Sequence, residues 1–397
     1  MNLIKRNLSI LLILPYFIAV TGMLVLDGGD KKLIPFIILS IIISVFFYKK
    51  KLIIKNLQSP FIWLLSLLCA YTIFSYYYHG SSSREIRALI GSTLFLMFFP
   101  YHILSHRVLA WIVLAGSVAV FLNSLYFNVY IGISRDAGYI NPIPYATSCA
   151  LIAIVSFSLL LERPSLKEKI IPSLAFILAL PPIVLSETRG IWLAIIISIL
   201  AIVIFKCIKN PPSRNKTIVV LTTTTVLLLS GAYLFKEKIT ERYVRTVYEV
   251  EQIQSGNYYY SIGQRFQLWG IAPQIIKQKP LLGHGNEIPK LLQDKLKNNE
   301  ISNRTFRLAS HHYHNQFINK MVKSGLVGLM LVIGLLFYPL IMIKKLPLID
   351  AYIVIGLVSL FFIAGLTDVP FNHPQPLMLY LLFLVPICSR CKRVAND

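Results

Sequence analysis

Charge is scarce in this chain. Only 14% of its 397 residues are Asp, Glu, Lys or Arg, and acids are the scarcer sign, 17 against 39 bases. An ordinary soluble globular domain, with about a quarter of its residues charged, is thereby excluded. Cysteine is scarce too, with five in the whole chain. Cys69 and Cys149 fall inside apolar runs, and Cys207, Cys388 and Cys391 lie on the side read below as cytoplasmic, so no disulfide is expected. The pair Cys388 and Cys391 has metal or redox spacing but reads as incidental. There is no internal repeat, no low-complexity tract, no P-loop, no His-Glu-x-x-His, no Gly-x-Ser-x-Gly and no Asp-x-Asp. These gaps exclude a phosphate-cradling loop, a zincin, a hydrolase elbow and the metal grip of many nucleotide-sugar transferases. A donor carrying its own activated leaving group, needing neither nucleotide nor metal, fits them.

What the chain has instead is apolar length. Hydrophobic residues make up 56% of it and the mean hydropathy is +0.66. Runs long enough, or nearly so, to cross about 30 Å of hydrocarbon occupy 8–26, 33–48, 61–78, 88–104, 108–131, 145–161, 170–185, 191–208, 217–235, 317–343, 349–366 and 376–387. The spacing predicts an all-α polytopic integral membrane protein with about twelve transmembrane helices. The first run follows Lys5 and Arg6, but it is too long for a secretory signal, and Asp27-Gly28-Gly29-Asp30 is no cleavage site.

The net charge of +22 does not point to nucleic acid, because the bases are scattered over short connections. With the N-terminus inside, nineteen Lys and Arg fall on cytoplasmic segments and six on the short outer loops. Both termini are therefore expected in the cytoplasm.

One connection is long. Residues 236–316 carry polar sequence, and their first 78 positions hold twelve Lys/Arg and seven Asp/Glu with many aromatics, on the outer side by this topology. Such a surface suits an anionic, sugar-bearing ligand at a membrane interface. The apolar spacing at 262–279, ended by Pro280, predicts an interfacial helix, and 288–296 a shorter one, together a small helical cap without an independent core.

Four outer-face groups could carry chemistry. Arg189 sits in a tight connection, Ser186-Glu187-Thr188-Arg189-Gly190, where a snorkelling arginine is the plainer reading. Arg265, in Gly263-Gln264-Arg265-Phe266 with Trp269 a turn later, could grip phosphate oxygens in bidentate fashion or simply sit on a helix surface. Gly283 and Gly285, in Pro280-Leu281-Leu282-Gly283-His284-Gly285-Asn286, could let backbone N–H groups approach an anion, although a plain turn is the simpler account. Last comes His311-His312-Tyr313-His314-Asn315, just before a span. There His314 can stay hydrated and act on a hydroxyl as a general base, while His311 and His312 read as polar anchors. Gly325 and Gly328 follow, with close helix packing as their plain reading.

Together these groups resemble the O-antigen ligase family, within the superfamily that also holds O-antigen polymerases and O-linked oligosaccharyltransferases. The ligase pattern, His-(Asn/Ser/Gln), nine residues, Gly-x-x-Gly, is met by His314-Asn315 and Gly325-Leu326-Val327-Gly328. Thr188-Arg189-Gly190 and Arg265 with Trp269 and Pro280-Leu281-Leu282-Gly283 look like the superfamily's arginine motifs. Glu187-Thr188 stands where the family often has serines.

The resemblance implies a GT-C-like architecture: transmembrane helices 1–9 over residues 1–235, one large, mainly helical periplasmic loop over 236–316, and helices 10–12 with a cytoplasmic C-terminus over 317–397. It implies transfer of O-antigen polysaccharide from undecaprenyl pyrophosphate to a sugar hydroxyl of lipid A-core, on the periplasmic face of the bacterial inner membrane. No metal, no cofactor and no nucleic acid are expected, and assembly as a homo-oligomer is left open. Arg189 and Arg265 would grip the pyrophosphate and His314 would serve the acceptor. Trp269, Asn315, Gly325 and Gly328 would shape the substrate site. Single displacement with inversion is expected, Glu187 being the one carboxylate that could act as a nucleophile instead. Two alternatives stand beside this reading. One is a polymerase or oligosaccharyltransferase, although polymerases are expected to have two large loops. The other is a lipid-linked oligosaccharide transporter, which would need charges lining its spans.

Overall fold

A helix pairs its own backbone donors and acceptors, so in hydrocarbon it can span where other backbone cannot. The computed structural model accordingly contains helices and no strand among its described residues, which are 2–161, 165–211, 233 and 235–390, with side chains from residue 8 onward. Short α2 (Gly22–Val25) continues α1 (Asn2–Val20), and α3 (Gly29–Lys32) leads into α4 (Ile34–Leu57). Then follow α5 (Pro60–His79), α6 (Ser83–Phe98), α7 (His106–Ser124), α8 (Pro142–Leu161), α9 (Leu166–Leu185) and α10 (Arg189–Lys209). The long polar segment forms α11 (Lys236–Gln254), α12 (Ser261–Gln278), α13 (Ile288–Lys297) and α14 (Asn303–His311). The chain closes with α15 (Gln316–Met342), α16 (Leu348–Thr367) and α17 (Pro374–Cys388).

Nine helical segments among the described residues are long and apolar enough to cross a membrane. Of the other three runs read from sequence, 88–104 became the 16-residue α6 and 376–387 the 15-residue α17. At about 1.5 Å per residue each is shorter than the hydrocarbon is thick, so crossing it requires local thinning of the bilayer. The run at 217–235 lies outside the described residues except for Tyr233 and Phe235, as do Arg163, Cys391 and the side chains of Lys5 and Arg6.

The bundle is sorted by residue size more than by hydrophobicity, because lipid tails are as apolar as leucine. Small and hydroxylated residues in α8 let it sit at the centre, with 83% of its span buried, against α16, with 67% buried. Ser148, Ser156 and Ser158 donate to carbonyls four residues earlier, which satisfies their hydroxyls inside the core. Nearly all of α17 is buried beside them, its Tyr380 hydroxyl donating to the Leu335 and Leu336 carbonyls of α15. Peripheral α4 and α10 turn Ile38, Ile42, Phe46, Ile196 and Leu200 outward, a wall suited to lipid.

The polar segment is more than a cap. Leu268, Ala272 and Ile275 of α12, Ile288 and Leu292 of α13, Ala309 of α14 and Tyr313 form an apolar cluster separate from the bundle core, founded on Val322 of α15. The cluster is completed by a residue of the bundle and is not independent of it. α12 supplies one wall, and the strongly one-sided α13 and α14 supply the opposing ones.

The segment is tied to the bundle at a break in α15. Gly325 takes φ 61°, which interrupts the helical ladder and frees two carbonyls and two N–H groups. His284 and Gly285 donate to the Val322 and Lys323 carbonyls at 3.0 and 2.9 Å. Leu326 and Val327 donate to the Pro280 and Leu281 carbonyls at 2.8 and 3.2 Å. The N–H groups of 284 and 285 are thereby spent on protein, so this turn braces the fold and is not an anion cradle. A Cβ on Gly325 would stand 2.3 Å from the Leu281 carbonyl group, closer than any side chain tolerates. Gly325→Ala is therefore expected to cost at least about 2 kcal/mol and to lower the melting midpoint of the detergent-solubilised protein. Gly334→Ala, whose Cβ would meet only Leu64 side-chain atoms at 3.4 Å, should leave it nearly unchanged; equal midpoints would refute the seam.

Candidate active site

Three helix ends converge on one carboxylate. Asp368 follows the last residue of α16, His373 precedes α17, and His312 and His314 lie in the short link between α14 and α15. The link is held from both sides. Asn315 caps α15, its side-chain oxygen accepting from the N–H groups of Phe317 and Ile318 at 3.0 and 3.1 Å, while its amide donates to the Leu366 carbonyl. Trp269 donates from its indole N–H to the Tyr313 carbonyl at 2.9 Å. His314 itself is left-handed at φ 47°, a costly conformation for a residue with a side chain and one that collects at functional sites.

The carboxylate of Asp368 is buried, 3% exposed. His314 Nδ1 lies 3.1 Å from its Oδ1, His312 Nε2 3.6 Å from the same oxygen, and His373 Nε2 3.6 Å from Oδ2. Burial alone would raise the Asp368 value, but hydrogen bonding from the three imidazoles outweighs it and holds the acid well below the usual carboxylate range. Burial pushes His312 down, against the pull of Asp368. With Nδ1–H of His314 donating to Asp368, Nε2 carries the lone pair, the arrangement a general base requires. Ligand atoms of His312, His314 and Asp368 also lie within 4.8 Å of one another, a set that could hold a divalent cation.

Guanidinium groups crowd the neighbouring ground. Arg265 donates from Nε to the Thr367 carbonyl, one residue from Asp368, at 3.3 Å, and from a terminal nitrogen to the Ser261 hydroxyl at 2.9 Å. Its value is lowered, first by burial and then by Arg189 and Arg135, with Asp368 and Glu249 opposing. Arg189, at the first turn of α10, donates to the Thr246 hydroxyl at 2.7 Å and to both oxygens of Glu249 at 3.1 Å. Glu249 also accepts from the Ile262 N–H at the start of α12. Arg242 of α11 donates to the Glu187 carbonyl and pairs with the Glu187 carboxylate at 3.5 Å. Burial, with Arg135 and Arg189 adding to it, takes Arg242 down to about 10. Arg135, Arg189, Arg242, Arg245 and Arg265 thus share a face where Glu187, Glu249 and Asp368 are the counterweights.

Of the residues singled out from sequence, Arg189, Arg265, His314, Asn315 and Trp269 meet around this face. Gly325 lies ten residues beyond Asn315, about 15 Å along the helix, in the seam with 280–285, and Gly328 packs there against Ser324 and Tyr71.

Residues 174–333, which span Arg189, Arg265, His314 and both glycines, match the family model described as O-antigen ligase. The chain carries an O-antigen ligase family segment. A protein of Haemophilus influenzae described as uncharacterized is 25% identical over 312 residues, 73% of this chain and 72% of that protein. Asp368 and His373 lie beyond the segment matched to the O-antigen ligase family.

Sequence reasoning left Asp368 and His373 out of its four outer-face groups and took His312 for an anchor. It passed over Arg242 and Glu249 because α11 has no apolar run to mark it. The one available signal was an acid directly after the uncharged stretch 351–367.

The cluster sets a pH response. His312 is held below its unfolded value near 6.5, so its stabilising contribution is complete above about pH 6.5 and falls as pH drops below it. Asp368 acts in the same direction further down, its share being present above about pH 4 and lost as pH falls through the depressed folded value. Melting midpoints taken from pH 7 to 5 should fall, and His312→Gln should flatten that slope. A slope unchanged in the variant would rule out His312 as its source.

Proposed function

We propose that this protein is a glycosyltransferase that ligates O-antigen polysaccharide from undecaprenyl pyrophosphate onto a sugar hydroxyl of lipid A-core, at the periplasmic face of the bacterial inner membrane. On this reading it crosses the membrane about twelve times, with both termini in the cytoplasm. The observation that carries it is His314, seated on a buried carboxylate within the field of Arg265 and Arg189.

The acceptor hydroxyl oxygen attacks the anomeric carbon while its proton passes to His314 Nε2. The bond from that carbon to the pyrophosphate oxygen breaks, and the electron pair leaves with the pyrophosphate. Asp368 orients the imidazole and balances the imidazolium that forms. Arg189 and Arg265 meet the charge growing on the leaving group, a contribution worth several kcal/mol where water is thin. The displacement is single and inverts the anomeric centre. Glu187 supports this as well as any residue, because its carboxylate is already committed to Arg242 and Lys238. Metal independence follows from fixed guanidinium charges doing the work of a cation.

Deleting the gene should leave full-length lipid-linked polymer in the cell but lipid A-core uncapped. Loss of the polymer itself would favour a polymerase and refute ligation. In the purified system His314→Ala, Arg189→Ala and Arg265→Ala should each lower transfer at least about 100-fold, with Asp368→Asn close behind. Transfer that persists after chelation by EDTA is expected; its loss, restored by added divalent metal, would transfer the role of His312, His314 and Asp368 to metal binding.

A further inference from the structure

We propose that the recess bounded by α5, α6, α15 and the 281–286 turn is a binding site for an anionic, hydroxyl-rich sugar, distinct from the arginine face. Its walls hold two cations and one acid. Lys320 is buried and pairs with buried Glu85, so their charges cancel. Lys323, one turn along the same helix, has no carboxylate partner among the described residues and spends its ammonium on the neutral His311 carbonyl. One positive charge is left over inside a partly enclosed site, where an anion would be held more tightly than at an exposed lysine.

The remaining groups ask for hydroxyls. Ser81 lines the recess with a buried hydroxyl oxygen that has no hydrogen-bond partner among the described residues, an expensive state unless a ligand completes it. Asn286 lines the same recess. The site is also wired to the catalytic face. Asn372 donates to the second oxygen of Glu85 at 3.0 Å and accepts from Gln316 at 3.0 Å, while Gln316 accepts from the Phe371 N–H. Asn372 adjoins His373, so a ligand bound against Lys323 and Glu85 lies next to the turn that carries Asp368. On the transferase reading above, which this inference extends, the occupant is a phosphorylated or carboxylated sugar of the acceptor.

The test is binding without turnover. The full-length protein in lipid nanodiscs is titrated calorimetrically with glucose 6-phosphate, with glucose and with inorganic phosphate. Glucose 6-phosphate should bind at least about tenfold more tightly than either fragment. Lys323→Gln, and separately the charge-neutral pair Glu85→Gln with Lys320→Gln, should each erase that preference. Affinity for glucose equal to that for the phosphorylated sugar, or affinity untouched by Lys323→Gln, would overturn the site. Inorganic phosphate binding as tightly as the sugar phosphate would overturn the sugar assignment. Because no donor is present, these outcomes are independent of whether the arginine face performs transfer.

Discussion

The structure depends on the break in α15 at Gly325. A helix in hydrocarbon cannot leave carbonyls and N–H groups unpaired, and this one does so only because the 280–285 turn lies against it and completes the ladder from outside. The polar segment is therefore bonded to the bundle backbone to backbone. That attachment fixes the roll of α12, and with it the positions of Arg265 and Trp269 over the link that bears His314. Loosening the seam would separate the proposed leaving-group cations from the proposed base without touching either.

The same economy governs the charges. Asp368 and Glu249 are buried acids in a strongly basic chain: three imidazoles hold Asp368 well below the usual carboxylate range, and Glu249 pairs with Arg189 at 3.1 Å. Neither is there chiefly for stability, since a buried pair contributes little beyond what it costs to desolvate. Their effect is positional. Glu249 joins the start of α10 to the start of α12 through Arg189 and the Ile262 N–H, and Asp368 draws three imidazoles from two different links to one point. Arg265 differs from Arg189 in having a carbonyl and a hydroxyl as partners where Arg189 has a carboxylate.

What the sequence made legible divides along physical lines. Spans could be read because hydrophobic length is a local property, and nine of the twelve runs became membrane-length helices among the described residues. Helix α6 opens with Ser83-Arg84-Glu85 and stops before Pro100, and helix α17 starts at Pro374; both are short for reasons written in their ends. Asn315 was legible too, because a cap is set by the residues beside it. The meeting of Asp368, His373 and His312 was not, since it arises from how three helix ends pack and has no spacing in the chain. The α11 helix was missed for a related cause: its apolar residues, among them Ile239, Tyr243 and Val244, stay exposed, while its buried residues are the polar Arg242 and Glu249, held by Glu187, Arg189 and the Ile262 N–H.

The strain at His314 follows from these constraints together. Asn315 must be extended to cap α15, and Tyr313 must direct its carbonyl at Trp269 while its ring enters the small apolar cluster. Between two residues so fixed, the chain can turn His314 toward Asp368 only by passing through the left-handed region. A glycine would relieve the backbone but carry no imidazole, and a regular helical residue would point elsewhere. The histidine is thus held by its neighbours in a conformation it would not choose, with one ring nitrogen anchored to the acid. The entropy of orienting the imidazole is then lost once, on folding, and not again at each encounter with a substrate.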